Sequence, residues 1–204
     1  SVISLSIGTI APDLYSSYCD SSYTSEAASI NSAIAKNITV TIASGNDGNK
    51  THISSPGCIQ NATAVGSVTS ADAFSSFGNR NSLIDVIAPG SSINSTCITS
   101  DSATGYCVKS GTSMATPHAA GMVAIMHQAR RIQAGNSLTQ SNLEARMKNF
   151  SISLNDSGGS NLNYSRIDVY KAIDSIEVPS FIWVRQPNLT PPGQNVLSNL
   201  SAND

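Results

Sequence analysis

Charged residues are scarce in this 204-residue sequence: Asp, Glu, Lys and Arg together make up 12%, and the formal net charge is −2. No cluster of basic residues marks a nucleic-acid-binding surface, and no acidic run marks a charged tail. No apolar stretch reaches the roughly 18–20 residues that a membrane-spanning helix needs. We therefore expect no nucleic-acid partner and no membrane span. The length suffices for one large core, or for one domain and the start of another.

The Cys-x-x-Cys spacing of zinc sites is also absent, although the sequence has four cysteines. An even number without that spacing fits disulfides better than zinc, and no dense ligand cluster predicts another metal site. Cys97 and Cys107 flank a turn sequence at 102–105, which predicts a hairpin with a bridge across it. Cys19 would then pair with Cys58. The alternative is four free, buried thiols.

Asn-x-Ser/Thr sequons, in contrast, are abundant: there are nine, against roughly four or five expected by chance from this composition. They begin at Asn37, Asn49, Asn61, Asn94, Asn149, Asn155, Asn163, Asn188 and Asn199. The excess of sequons and the even number of cysteines favour a glycosylated protein that is secreted or held at the cell surface.

The pattern of apolar residues predicts alternating strands and helices. Residues 2–7 predict a buried strand, 24–37 an amphipathic helix and 39–43 a second strand, which together form a βαβ unit. Further strands are predicted at 63–68 and 83–88, a hairpin at 93–99 and 106–109, and helices at 112–132, 141–150 and 167–176. Because βαβ units favour parallel sheets, we expect an α/β fold with a doubly wound, mostly parallel sheet and helices on both faces.

The composition changes after residue 177. Four prolines fall between residues 177 and 192, around a short strand-like run at 181–184. We predict one domain over 1–177. Residues 178–204 would be a Pro-rich linker or the truncated start of a further module, such as a β-sandwich. A tail that packs back on the domain is the alternative.

Ser113 lies at the start of the helix predicted at 112–132. Pro117 is tolerated in the first turn of a helix, so Ser113 lies at or just before that turn. The free backbone N–H groups and the helix dipole at such a position favour an anion, and a hydroxyl that attacks a carbonyl generates one. The other interpretation is that Ser113, or the neighbouring Thr112, is simply an N-cap.

The string Gly-Thr-Ser-Met-Ala-Thr-Pro-His at 111–118 resembles the nucleophile signature of the subtilisin-like serine proteases, or subtilases. It differs from the Gly-x-Ser-x-Gly motif of lipase-type hydrolases, because Ala115 replaces the second glycine. Other segments resemble the family in the same order, at residues 3–8, 43–48, 55–58, 64–66, 74–78, 85–90 and 166–172. The resemblance covers residues 1–176 and implies a subtilisin-like fold that lacks its first strands here.

The resemblance also implies roles for single residues. Ser113 would be the nucleophile of an endopeptidase that acts on polypeptides. Asn46 would donate a side-chain N–H to the oxyanion, although Asn-Asp-Gly is also a good turn sequence. The residues implied to contact the substrate are Ser6, Ile7, Gly8, Ala43, Ser44, Gly45 and Thr112. Asp47 would lie at the rim of this pocket and favour a basic side chain. The chemistry needs no cofactor, and the resemblance allows structural calcium in the full-length protein.

The base and the orienting carboxylate that a serine nucleophile needs are not evident. In the family order, Asp and His come before Ser, upstream of residue 1. Among His52, His118 and His127, only His52 is a candidate substitute base, and Asp72 and Asp85 match no triad position. Because the sequence opens inside an apolar run, we expect the C-terminal part of a longer protease, whose upstream remainder carries the triad. The alternative is a non-catalytic, protein-binding module that has lost it.

Overall fold

A computed structural model describes residues 1–98, 100–101, 104–136 and 138–176. The strands are β1 (Val2–Leu5), β2 (Leu14–Tyr15), β3 (Thr39–Ala43), β4 (Ile53–Ser54), β5 (Thr63–Val68), β6 (Val86–Pro89), β7 (Ile93–Thr96), β8 (Tyr106–Lys109), β9 (Ile152–Asn155) and β10 (Asn163–Arg166). The helices are α1 (Thr24–Ala35), α2 (Thr112–Ala134), α3 (Gln140–Asn149) and α4 (Val169–Asp174). No helix in these ranges is long and apolar enough to cross a membrane.

The central sheet of the described residues has six strands in the order β1-β3-β5-β6-β10-β9. The first five run parallel, and β9 joins the edge antiparallel to β10. Two small antiparallel pairs, β2 with β4 and β7 with β8, lie outside this sheet. The predicted mostly parallel α/β sheet is confirmed.

The two faces of the sheet are covered by different helices, because successive residues of a strand point to opposite faces. On one face, Val40 and Ile42 of β3 pack with Ile30 of α1. On the other, Val65 of β5 packs with Val123 of α2, and α4 joins the same cluster. The helix α2 runs beneath β1, β3, β5 and β6. Its first turn is thereby fixed relative to four strands.

Two parts of the structure differ from the sequence prediction. Residues 9–23, for which no strand is predicted, include the two-residue strand β2, and residues 151–166 form the hairpin β9–β10. The segments are short: β2 has two residues, and β9 and β10 have four each. Strands this short form through pairing with a neighbour rather than through an intrinsic backbone preference. The run at 181–184 and the proposed module at 178–204 lie outside the described residues.

One of the two predicted disulfides is present. Cys19 and Cys58 are bonded, with a Cα–Cα distance of 5.5 Å, and tie the segment before α1 to the segment after β4. Closing a loop with a sequence separation of 39 residues stabilises the fold by about 4 kcal/mol in the chain-entropy description.

The predicted bridge between Cys97 and Cys107 is wrong for this structure, because both are free thiols. The hairpin itself forms, but its register places Ser95 opposite Cys107, while the Cys97 N–H bonds to Gly105 O. The two cysteines are therefore diagonal neighbours, typically ~7–8 Å apart, beyond the usual Cα separation of a disulfide. The thiols still interact: a hydrogen bond with Cys107 raises the pKa of Cys97 to about 11.

A buried ion pair joins the loop after β5 to the β9–β10 hairpin. The Arg80 guanidinium donates from Nε to Asp156 Oδ2 at 2.5 Å and from Nη2 to Asp156 Oδ1 at 3.1 Å. Both residues are more than nine-tenths buried. Burial alone would raise the pKa of Asp156, but hydrogen bonds from Arg80 and Ser160 outweigh it and hold that pKa below its usual value.

We predict that Asp156→Ala lowers the free energy of unfolding by about 3–5 kcal/mol, because it leaves the Arg80 charge buried without a partner. Urea denaturation measures this. The matched control is Lys171→Met, which removes an exposed pair with Asp168 and should cost no more than about 1 kcal/mol. Folding depresses the pKa of Asp156, so its contribution to the free energy of unfolding is fully present above its unfolded-state pKa of ~3.9. That contribution is lost as the pH falls through the folded-state pKa. Equal losses of unfolding free energy in the two variants would contradict the assignment of Arg80 and Asp156 as a stabilising buried pair.

Candidate active site

Ser113 lies in the first turn of α2, which begins at Thr112 after Gly111. The Gly111 N–H donates to Gly90 O at 2.8 Å, so the end of β6 rests against the start of the helix. A Cβ on Gly90 would lie 2.7 Å from Gly111 O, and only glycine allows this approach. Within the part of the chain that the structure describes, the Ser113 N–H has no acceptor. It is a free donor at the positive end of a 23-residue helix.

The Asn46 side chain is fixed by Thr112. Its Oδ1 accepts hydrogen bonds from Thr112 N at 2.8 Å and from Thr112 Oγ1 at 2.9 Å. Because a backbone N–H can only donate, the oxygen of the amide is the atom that faces Thr112, and Nδ2 points elsewhere. Nδ2 lies 3.6 Å from the position that a Cβ on Gly111 would occupy, beside the Ser113 N–H. The structure therefore brings together two N–H donors from segments that lie far apart in the sequence.

The loop that carries Asn46 is supported by Asn79, a fully buried residue that the sequence reasoning did not single out. Asn79 Oδ1 accepts from Asp47 N at 2.9 Å and from Asn49 N at 3.0 Å, and its own N–H donates to Gly45 O at 3.0 Å. Gly45 has a φ of +103°, and a Cβ there would collide with Ser54 Oγ and Asn79 Nδ2. One feature of the sequence could have pointed to Asn79: it directly follows the segment 74–78, which resembles the subtilases.

A cavity of about 370 Å³ lies on the Asn46 side of Ser113. Of the predicted substrate-contacting residues, Ser6, Ile7, Gly8, Ala43, Gly45 and Thr112 line it, together with Asn46 and Ser113. Ser44 does not: its side chain is fully buried and Oγ donates to Asn79 O at 2.8 Å. The end of β1 is attached to the helix, because Ser6 Oγ donates to Ser113 O at 2.9 Å.

Asp47, which the resemblance places at the rim of the substrate pocket, lines the same cavity. Its Oδ1 accepts from Ala11 N at 3.2 Å and its Oδ2 accepts from Asn79 Nδ2 at 2.8 Å. The carboxylate is exposed and makes no ion pair within the described residues. It gives this cavity a negative charge.

A second cavity of about 400 Å³ lies on the other side of Ser113, between the β7–β8 hairpin and the first turns of α2. Its lining residues are Ile93, Asn94, Ser95, Thr96, Cys107, Lys109, Ser113, Met114, Pro117 and His118. Ser113 is therefore the residue shared by the two lining sets, and the cavities lie on either side of it.

No histidine of the described chain acts on Ser113 Oγ, whose hydrogen bond goes to Ser6 O at 3.4 Å. His52 Nδ1 bonds to Thr51 Oγ1, and no hydrogen bond joins this candidate substitute base to Ser113. His118 Nδ1 donates to Met114 O within the helix. His127 is buried, and that burial lowers its pKa.

The two aspartates that matched no triad position make ion pairs elsewhere. Asp85 pairs with Lys148 at 2.6 Å, and Asp72 pairs with Arg166 at 2.9 Å. The described residues contain no group of three or more His, Cys, Asp or Glu side chains that could hold a metal ion.

Comparison with known proteins agrees with this site. The model of the Subtilase family matches residues 1–168, so the chain belongs to the subtilases, peptidase family S8. A thermophilic serine proteinase of Bacillus sp. strain AK1 is 35% identical over 84% of this chain and 37% of its own length. An extracellular protease of Xanthomonas campestris is 41% identical over 59% of this chain and 20% of its own.

The fold has solved counterparts as well. The crystal structure of a cold adapted subtilisin-like serine proteinase superposes with a TM-score of 0.63 and 31% identity, over 82% of this chain and 56% of that one. The fold is therefore subtilisin-like. The chain spans only part of the relatives it matches, between about a fifth and two fifths of the two proteins named above.

We predict that Asn79→Ala slows phosphonylation of Ser113 by a fluorophosphonate probe, in the protein that carries this chain, by ten- to about 100-fold. A shift of the Asn46 loop by about 1 Å is enough for such a loss. The matched control is Asn81→Ala, since Asn81 is also buried and bonds to Tyr15 O and Thr51 O but not to residues 44–49. If both variants lose reactivity only in proportion to their stability, Asn79 does not position the site.

Proposed function

We propose that the protein carrying this chain is a subtilisin-type serine endopeptidase in which Ser113 is the nucleophile and Asn46 the side-chain oxyanion donor. The single observation that carries the proposal is the pair of hydrogen bonds from Thr112 to Asn46 Oδ1. These bonds occupy the amide oxygen, so Nδ2 is left to donate a hydrogen bond beside the Ser113 N–H. A neutral donor that needs no rearrangement during the reaction suits a developing oxyanion.

In this mechanism Ser113 Oγ attacks the carbonyl carbon of a peptide bond, and the negative charge that forms on the carbonyl oxygen is held by Asn46 Nδ2 and the Ser113 N–H. The C–N bond then breaks, and the amine leaves with the proton that Ser113 gave up. Water releases the acyl group and restores the hydroxyl. The histidine that carries the proton, and the aspartate that orients it, would come from the upstream remainder of the catalytic domain.

The substrate would be an extended polypeptide lying along the segment after β1. Residues Ser6, Ile7 and Gly8 are exposed and end beside Ser113, so their backbone groups can pair with a substrate strand. Pairing through the backbone tolerates many side chains. Selection for a basic side chain before the cleaved bond would come from Asp47, whose charge faces the cavity that receives it.

Secretion and a structural calcium remain part of the proposal for the longer protein. Secretion is supported by the Cys19–Cys58 disulfide and by the Xanthomonas campestris relative, which is named an extracellular protease. The proposed chemistry uses no cofactor. The proposed calcium has no assigned ligands, and the described residues contain no group of three or more His, Cys, Asp or Glu side chains.

The test is a kinetic comparison of Asn46→Ala with the parent protein on a peptide substrate. We expect kcat to fall by about 10²–10³ with little change in KM, the range known for removing such an amide from a subtilisin. Ser113→Ala should abolish acyl-enzyme formation. Asn61→Ala, which changes an exposed asparagine bonded to Asn31, is the control and should keep full activity. Cleavage that survives in Ser113→Ala, or an absence of cleavage in the parent, would refute the proposal.

A further inference from the structure

The two cavities beside Ser113 carry opposite charges. Among the described residues, Asp47 is the one acidic or basic side chain that lines the cavity of about 370 Å³. Lys109 is the one described Lys, Arg, Asp or Glu that lines the cavity of about 400 Å³. A chain threaded past Ser113 therefore meets a carboxylate on one side and an ammonium on the other.

The oxyanion donors assign a direction to this path. Asn46 lines the cavity of Asp47 and not that of Lys109. The carbonyl being attacked must point to Asn46 Nδ2, so the residue that contributes this carbonyl lies on the Asp47 side. The residues that follow the cleaved bond, which leave with the amine, then lie between the β7–β8 hairpin and α2, on the Lys109 side.

Lys109 can exchange its present partner for a substrate. Its Nζ pairs with Asp101 Oδ2 at 3.0 Å, and the two side chains are 54% and 40% exposed. An ion pair between two exposed side chains is weak, so a substrate carboxylate can compete with Asp101. The hydrogen bond that Lys109 donates to Asp101 also raises the pKa of Lys109, which keeps the ammonium charged.

The rest of the described cavity wall offers no competing negative charge. The neighbouring polar groups are Asn94, Ser95 and Thr96 on β7, with His118 on the helix side. His118 Nδ1 donates to Met114 O, so that side of the ring is bonded to its own helix. An acidic side chain in this cavity would meet hydroxyl groups, an amide and one cation.

We propose that Lys109 is a specificity-determining residue that selects an acidic side chain in the first two residues after the cleaved bond. The proposal rests on the proposed function, since it presupposes cleavage at Ser113. It adds a preference for the residues that follow the cleaved bond. This preference is independent of the one that Asp47 would impose before that bond.

The experiment compares kcat/KM for two peptides that differ in having Glu or Gln at both positions after the cleaved bond, with the protein that carries this chain. We expect the parent to prefer the Glu peptide by about two- to fivefold at low salt, as an exposed ion pair permits. The preference should vanish in Lys109→Met and reverse in Lys109→Glu. It should increase in Asp101→Asn, which frees Lys109, and decrease toward one in 1 M NaCl.

The matched control is Lys171→Met. It removes an ammonium on α4 that is also 54% exposed and also pairs with an aspartate, Asp168. It should keep the parent preference. Equal rates for the two peptides in the parent, or a preference that survives Lys109→Met, would overturn this proposal while leaving the endopeptidase assignment intact. No Ser113-dependent cleavage of either peptide would instead refute the proposed function.

Discussion

The hydrogen bonds between Thr112 and Asn46 are the interaction on which the site depends. They join the loop after β3 to the first turn of α2, two segments separated by 66 residues in the sequence. Thr112 Oγ1 also accepts from Gly45 N at 3.3 Å, so one buried hydroxyl ties the loop at two points. Without this connection, the Asn46 amide could rotate, and its N–H would no longer be held beside that of Ser113.

The parallel sheet makes this connection possible. The carboxyl ends of β1, β3 and β6 lie at one edge, and the start of α2 meets them there through Ser6, Asn46 and Gly90. The helix is held in place because it packs beneath four strands of the sheet. A long buried helix therefore serves two purposes: it completes the core on one face and presents Ser113 at its positive end.

The fold class could be predicted from the sequence, because its signal is local: the apolar periodicity predicted the βαβ unit. Ser113 and Asn46 were singled out by the resemblance of the strings at 111–118 and 43–48 to the subtilases, and their roles stay predictions. The buried role of Asn79 and the position of Ser44 behind the cavity could not be predicted from the sequence. Both depend on contacts between segments about 35 residues apart. The pairing of Cys97 with Cys107 failed for a similar reason: two residues can flank a turn and still be diagonal in the strand register.

The most direct test of the central claim is the site of covalent labelling by a fluorophosphonate probe in the protein that carries this chain, located by peptide mass spectrometry. The account predicts one phosphonylated residue, Ser113, labelled far more slowly after Asn46→Ala and not at all in denatured protein. Labelling at another serine, or labelling of Ser113 that is as fast without the Asn46 amide as with it, would contradict the account.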